Sequence, residues 1–145
     1  MEYNLVETKY RNYIGGVSMS FVWASKKPKD GIATIYESNI TLNKAASSHF
    51  EHAYNVLLGL DNTQKRVAIK PVSKEEFDIG AIPEEKRHKI TVKPSYARVC
   101  NKKFIKELAD VAGIDLQKGH SFKFKTYWEK KDALLVIDLN QPEVS

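Results

Sequence analysis

Twice along the chain the spacing of apolar residues changes in the same order. A short extended run, NITL at 39–42, gives way to KAASSHFEHA, where Ala46, Phe50 and Ala53 recur at steps of four and three, the period of an amphipathic helix. YNVLLGLD and RVAIKPV follow, apolar and β-branched, and the polar NTQK between them predicts a β-hairpin. The second passage opens with ARVC at 97–100 and continues into KKFIKELADVA, with Phe104, Leu108 and Val111 at the same steps. It ends in a strand that alternates Phe122, Phe124 and Trp128 with Lys123 and Lys125, then the polar KKD and the closing strand ALLVIDL. Each passage therefore reads strand, helix, strand, strand.

Asn43 and Asn101 stand where a side-chain oxygen can accept a hydrogen bond from the free N–H groups of a helix start. Placing one on the other aligns Lys44 with Lys102, Ala46 with Phe104, Phe50 with Leu108 and Leu42 with Cys100, a pattern that predicts an internal duplication. By that alignment Cys100 is a buried small hydrophobe rather than a nucleophile.

Upstream, LVETKY and SMSFVWAS around Gly15-Gly16 predict an N-terminal hairpin, KKPKDG a polar loop, and ATIYESNITL one further extended run. SKEEFDIGAIPEEKRHK, charged and punctuated by Gly80 and Pro83, reads as an exposed connection or covering loop. The expected organisation is one domain over 1–145, with an N-terminal hairpin at 1–35, a first unit at 36–72, a linker at 73–95 and a second unit at 96–140. The fold class is α+β and β-rich, its two strand-helix-strand-strand units forming a barrel-like core. A chain of 145 residues, 42% of them hydrophobic, suffices for one such core.

Charge changes the picture by its placement. From Lys86 to Lys106 there are eight cations, Lys86, Arg87, Lys89, Lys93, Arg98, Lys102, Lys103 and Lys106, and no Asp or Glu. Removing those eight from a net charge of +5 leaves the remainder net negative, so the basic character is local. Such a cluster suits a phosphate backbone, where cations gain by displacing condensed counterions; the alternative is a solvated face without a polyanion partner. Arg87 and Arg98 offer planar forks for phosphate, and Lys102 and Lys103 fall in a first helical turn, where they oppose the helix dipole unless an anion docks there.

The second passage, NKKFIKELADVAGIDLQKGHSF and its hairpin, resembles the swapped-hairpin module of AbrB-like and MazE-like DNA-binding proteins. Lys102, Phe104 and Leu108 sit at matching steps, and Gly113-Ile114 with Gly119 resembles that module's glycine turn. Asn101 stands where the family has proline and Ile105 where it has arginine, and ADVA adds about one helical turn. The resemblance covers 97–139, and 36–72 fits more loosely; the whole pattern also resembles a widespread group of small bacterial proteins. It implies transcription-regulator-like DNA binding, with two units in one chain closing a barrel that the family builds from two chains.

Little points to catalysis. His49 and His52 flank Glu51 at helical spacing, but no third or fourth ligand belongs to the motif, so surface histidines beside a core Phe50 are expected and no metal or cofactor. Glu75-Glu76 and Glu84-Glu85 are adjacent carboxylates in a charged connection, expected to be solvated. Tyr96, Tyr127 and Trp128 either pack in a sheet or stack on bases. No apolar run is long enough for a membrane helix, the N-terminus lacks a signal-peptide layout and one cysteine suits a reducing compartment, so a cytoplasmic, non-enzymatic protein is expected. DNA is the expected partner, with an acidic protein surface as the alternative.

Overall fold

The computed structural model describes residues 30–143. The expected N-terminal hairpin lies, apart from its last residues, outside the described residues. In chain order the strands are β1 (Ile32–Ile35), β2 (Ile40–Asn43), β3 (Asn55–Asp61), β4 (Arg66–Val72), β5 (Thr91–Val92), β6 (Tyr96–Val99), β7 (Phe122–Glu129) and β8 (Leu134–Glu143). The helices are α1 (Lys44–Ser47), α2 (Lys74–Asp78) and α3 (Lys102–Ala112). The fold is strand-rich, and all eight strands join one antiparallel sheet in the order β3-β4-β8-β7-β1-β2-β6-β5, curled into a half-barrel.

Alternation along each strand decides which side is core. Ala33 and Ile35 of β1, Ile40 and Leu42 of β2, Val67 and Ile69 of β4, Ala97 and Val99 of β6, Phe124 of β7 and Leu135 and Ile137 of β8 all point inward and are buried in one cluster. Phe104, Ile105 and Leu108 of α3 add to it, with Phe50 behind α1. Across the open side of the half-barrel one bridge ties edge to edge: Val56 of β3 and His88, just before β5, exchange two backbone hydrogen bonds of 2.9 Å.

Both hairpins and α3 form where the apolar spacing places them. The run ATIYESNITL does not stay extended. It folds into the β1-β2 hairpin because Tyr36 N–H donates to the Asn39 carbonyl at 2.8 Å, while Asn39 Oδ1 accepts from the Thr41 hydroxyl. Three polar residues, Glu37, Ser38 and Asn39, supply that turn without glycine or proline, which is why apolar spacing alone misses it.

The 73–95 stretch is also more ordered than a bare connection. Ser73 and Glu76 close a reciprocal capping box at the start of α2, Glu84–Lys86 forms a 3-10 turn, and His88 makes the bridge before β5. Glu76 is thus a capping group and not simply a solvated carboxylate.

Cys100 corrects the alignment on which its burial rested. Ile40 lies opposite Val99 and Leu42 opposite Ala97, so the inward positions of β2 correspond to Ala97 and Val99, not to Arg98 and Cys100. In the first passage Asn43 is both the last strand residue and the cap; in the second, Cys100 is an extra residue between β6 and the cap Asn101, and it is exposed.

The two asparagines do unequal work. Asn43 Oδ1 accepts from the N–H groups of Ala46 and Ile32, at 3.1 and 3.0 Å, and its Nδ2 donates to the Asp30 carbonyl, so it fastens α1 to the start of β1. Asn101 Oδ1 accepts only from Phe104 N–H, at 3.0 Å, and its Nδ2 meets His88 Nδ1 at 3.3 Å. A lost cap costs about 1 kcal/mol, and a stranded buried N–H about as much again. Asn43→Ala is therefore expected to lower the urea unfolding free energy by about 2–3 kcal/mol and Asn101→Ala by about 1–2 kcal/mol. Equal losses in the two variants would contradict this difference.

Candidate nucleic-acid interface

Where the inward side chains are buried, their neighbours are committed to the outer face. Register defines a row across five strands: Lys123 of β7 lies opposite Thr34 of β1, Thr34 opposite Thr41 of β2, Thr41 opposite Arg98 of β6, and Arg98 opposite Thr91 of β5. Lys125 lies opposite Ile32, and Asn43 opposite Tyr96, in the next row. Lys89 and Lys93 share the outward parity of Thr91 and are exposed, while Ile90 and Val92 between them pack on the core. No Asp or Glu occupies any outward position of β7, β1, β2, β6 or β5 in these two rows; the β8 position in register with Lys123 is Glu143.

The eight cations of the 86–106 stretch fall into three settings. Arg98 belongs to the outer sheet face, and Lys89 and Lys93, both exposed, flank the two-residue β5. Lys102 and Lys103, in the first turn of α3, and Lys106 one turn on are exposed, because the apolar stripe of Phe104, Ile105 and Leu108 takes the opposite side of the helix. The Asn101–His88 contact draws the 86–89 segment to the start of this helix. Lys86 is exposed there. Arg87 is engaged within the fold: its guanidinium carbon lies 4.3 Å from the centre of the Phe77 ring, and its Nε is buried. Among the described residues the ion pair that forms is Asp61–Arg66, at 3.0 Å, on another part of the sheet.

Lys123 and Lys125 join this surface although they lie outside the basic stretch of the sequence. Their alternation with Phe122 and Phe124 marks them as solvated; what the sequence alone lacks is that β7 reaches β6 through β1 and β2. Arg98 is the best-positioned cation, its guanidinium carbon 5.3 Å from the centre of the Tyr96 ring. Trp128 turns inward, edge-on to Phe50 and stacked on His49 at 4.2 Å between ring centres, whereas Tyr127 is 46% exposed on the outer face.

On that opposite half of the outer face, Gly59, Ala68, Leu134, Val136 and Tyr127 line a cavity of about 430 Å³, beside Asp61 and Arg66. Asp61 is held below the usual carboxylate range by the Gln64 N–H first and then by the Arg66 guanidinium. No helix among the described residues is long and apolar enough to cross a membrane. No family model matches the chain, and no curated protein or solved structure matches it.

His88 makes the stability of this segment depend on pH. Partial burial lowers its pKa below the usual histidine value. Because Asn101 Oδ1 accepts from Phe104, its Nδ2 is the donor to His88 Nδ1, a bond that only the neutral, Nε2-protonated ring can receive. A histidine with a depressed folded pKa binds its proton more readily when unfolded, so its contribution is intact above the unfolded pKa of about 6.5 and is lost as pH falls below it toward the folded value. The urea midpoint is expected to stay level from about pH 8 to 7 and to fall between about pH 6.5 and 5, with a shallower fall in His88→Gln. A variant slope as steep as that of the parent protein would contradict the assignment.

Proposed function

We propose that this protein is a non-enzymatic DNA-binding protein of transcription-regulator type, which meets the phosphate backbone through the outer face of β7, β1, β2, β6 and β5 and the exposed start of α3. The observation that carries this reading is the collection of Lys123, Lys125 and Arg98 onto one face, in rows whose intervening positions hold Thr, Asn, Ile or Tyr and no carboxylate, with exposed Lys89 and Lys93 flanking the edge strand β5. Exposed cations gain by replacing condensed counterions on a polyanion.

The chain is further read as two interleaved units, the tandem form of a swapped-hairpin module. In support, β2 pairs with β6 and β4 with β8, both antiparallel, as elements related by a local two-fold must. The two long hairpins also share turn chemistry. Asp61 accepts from the N–H groups of Thr63 and Gln64, Glu129 from those of Lys131 and Asp132, and each turn ends in a left-handed residue, Lys65 or Ala133.

A second reading is a protein-interaction module, since the exposed cations Lys89, Lys93, Arg98, Lys123 and Lys125 would equally complement an acidic protein surface. An acidic protein partner would then meet the basic face.

The test is a salt titration of binding to a fluorescent DNA oligonucleotide. Affinity is expected to fall steeply, by about a hundredfold or more between 50 and 200 mM salt if about five phosphates are neutralised. Lys102→Glu/Lys103→Glu is expected to weaken binding to all sequences alike and to flatten the slope. Absence of DNA binding at low salt, with stoichiometric capture of one acidic protein that survives nuclease, would replace this reading with the second.

A further inference from the structure

Resting on the nucleic-acid reading above, we infer that the outer face of β7, β1, β2, β6 and β5 is a platform for a single strand rather than for a duplex. Three features lead there. The sheet curls around its core, so this outer face is convex. A duplex is stiff over far longer distances than a protein domain and touches a convex face along a narrow line, whereas a single strand can follow the curve.

Second, among the described residues the floor between the cations is made of short side chains. Between the lysines of β7 and the cations of β6 and β5 the outward positions are Ile32, Thr34, Thr41 and Asn43, all short and held in the sheet. Reading a duplex in the major groove takes a helix or a two-stranded ribbon, and among the described residues none rises from these rows. The floor is low and partly apolar, as an unstacked base requires. Three inter-strand steps separate β7 from β6, about 14 Å at the usual strand spacing, so cations stand on both flanks of that floor.

Third, Arg98 is held as a stacking plane. Its guanidinium rests over Tyr96, and Lys93 N–H donates to the Tyr96 carbonyl at 2.8 Å, which fixes the strand beneath the ring. Exposed bases of single strands stack on aromatic rings and on guanidinium planes, while duplex bases are already stacked on one another. Lys125 and Lys93 then hold the backbone on either side, and Arg98 receives a base.

The experiment compares the full chain with Arg98→Lys, which keeps the charge and removes the plane, on a labelled oligothymidine of about twelve nucleotides and on a duplex of equal length. At low salt the parent protein is expected to bind the single strand about tenfold or more tightly than the duplex. Arg98→Lys is expected to weaken single-strand binding by about fivefold or more, a larger factor than its effect on the duplex, with both salt slopes unchanged because the charge is kept. Lys125→Glu is expected to weaken both, since it removes a phosphate contact. Equal or tighter duplex binding overturns the single-strand inference and leaves the phosphate-binding reading intact, as does an Arg98→Lys protein with unaltered single-strand affinity. Binding of neither oligonucleotide overturns both. An unfolding midpoint for Arg98→Lys equal to that of the parent excludes a folding defect as the source of its loss.

Discussion

Arg98 faces water because Ala97 and Val99 cannot. The two-residue period of a strand, with one side of every strand packed on a single core, is the constraint on which the rest of this molecule depends. Burying Ile35, Ile40, Leu42, Val99 and Phe124 fixes the register of β7, β1, β2 and β6. The same register sets Lys123, Thr34, Thr41 and Arg98 side by side on the other face. A slip of one residue in β6 would drive Arg98 into the core and expose Ala97 and Val99. Isolated ionised groups cost far more to bury than the slip could return, so the basic rows are a consequence of the core. The face is as rigid as the sheet that carries it.

The remaining parts protect this register. Asn43 links the start of β1 to α1 through three hydrogen bonds, so the first hairpin cannot shift without losing a helix cap. At Gly31 a Cβ would stand 2.5 Å from the Thr126 hydroxyl and 3.3 Å from the Ala46 Cβ, so a side chain there would force Thr126 to shift where β7 passes β1. On the far side the Val56–His88 bridge, backed by the contact of Asn101 with His88, holds the 86–92 segment so that Lys89 and Lys93 share the parity of Thr91. The charged stretch thus becomes a surface because its backbone is tied down.

Much of this was legible in the sequence. The β3-β4 and β7-β8 hairpins and α3 follow from apolar spacing and turn polarity, and Asn43 and Asn101 cap as their position before the helical period predicts. The β1-β2 turn was hidden because Glu37, Ser38 and Asn39 bend the chain through hydrogen bonds that carry no glycine or proline signature. Cys100 was misplaced because aligning the caps ignores strand parity, and the extra residue before Asn101 inverts it. Of the proposed site, Arg98, Lys89 and Lys93 carry a local charge signal in the sequence. Arg87 carries it too, though its cation is spent on Phe77. Lys123 and Lys125 were visible only as solvated residues, since their neighbours on β6 and β5 lie across two intervening strands that no local pattern specifies.

The central claim, that the basic rows are a nucleic-acid surface created by the register of the core, is tested most directly by residue-resolved mapping. Amide chemical shifts recorded during titration with an oligothymidine at low salt are predicted to move first and furthest at Thr34, Thr41, Tyr96, Arg98, Lys123 and Lys125. Resonances of Gly59, Ala68 and Val136 on the other half of the outer face should stay in place. Shifts concentrated on that second set, or no shifts at all, would contradict the account.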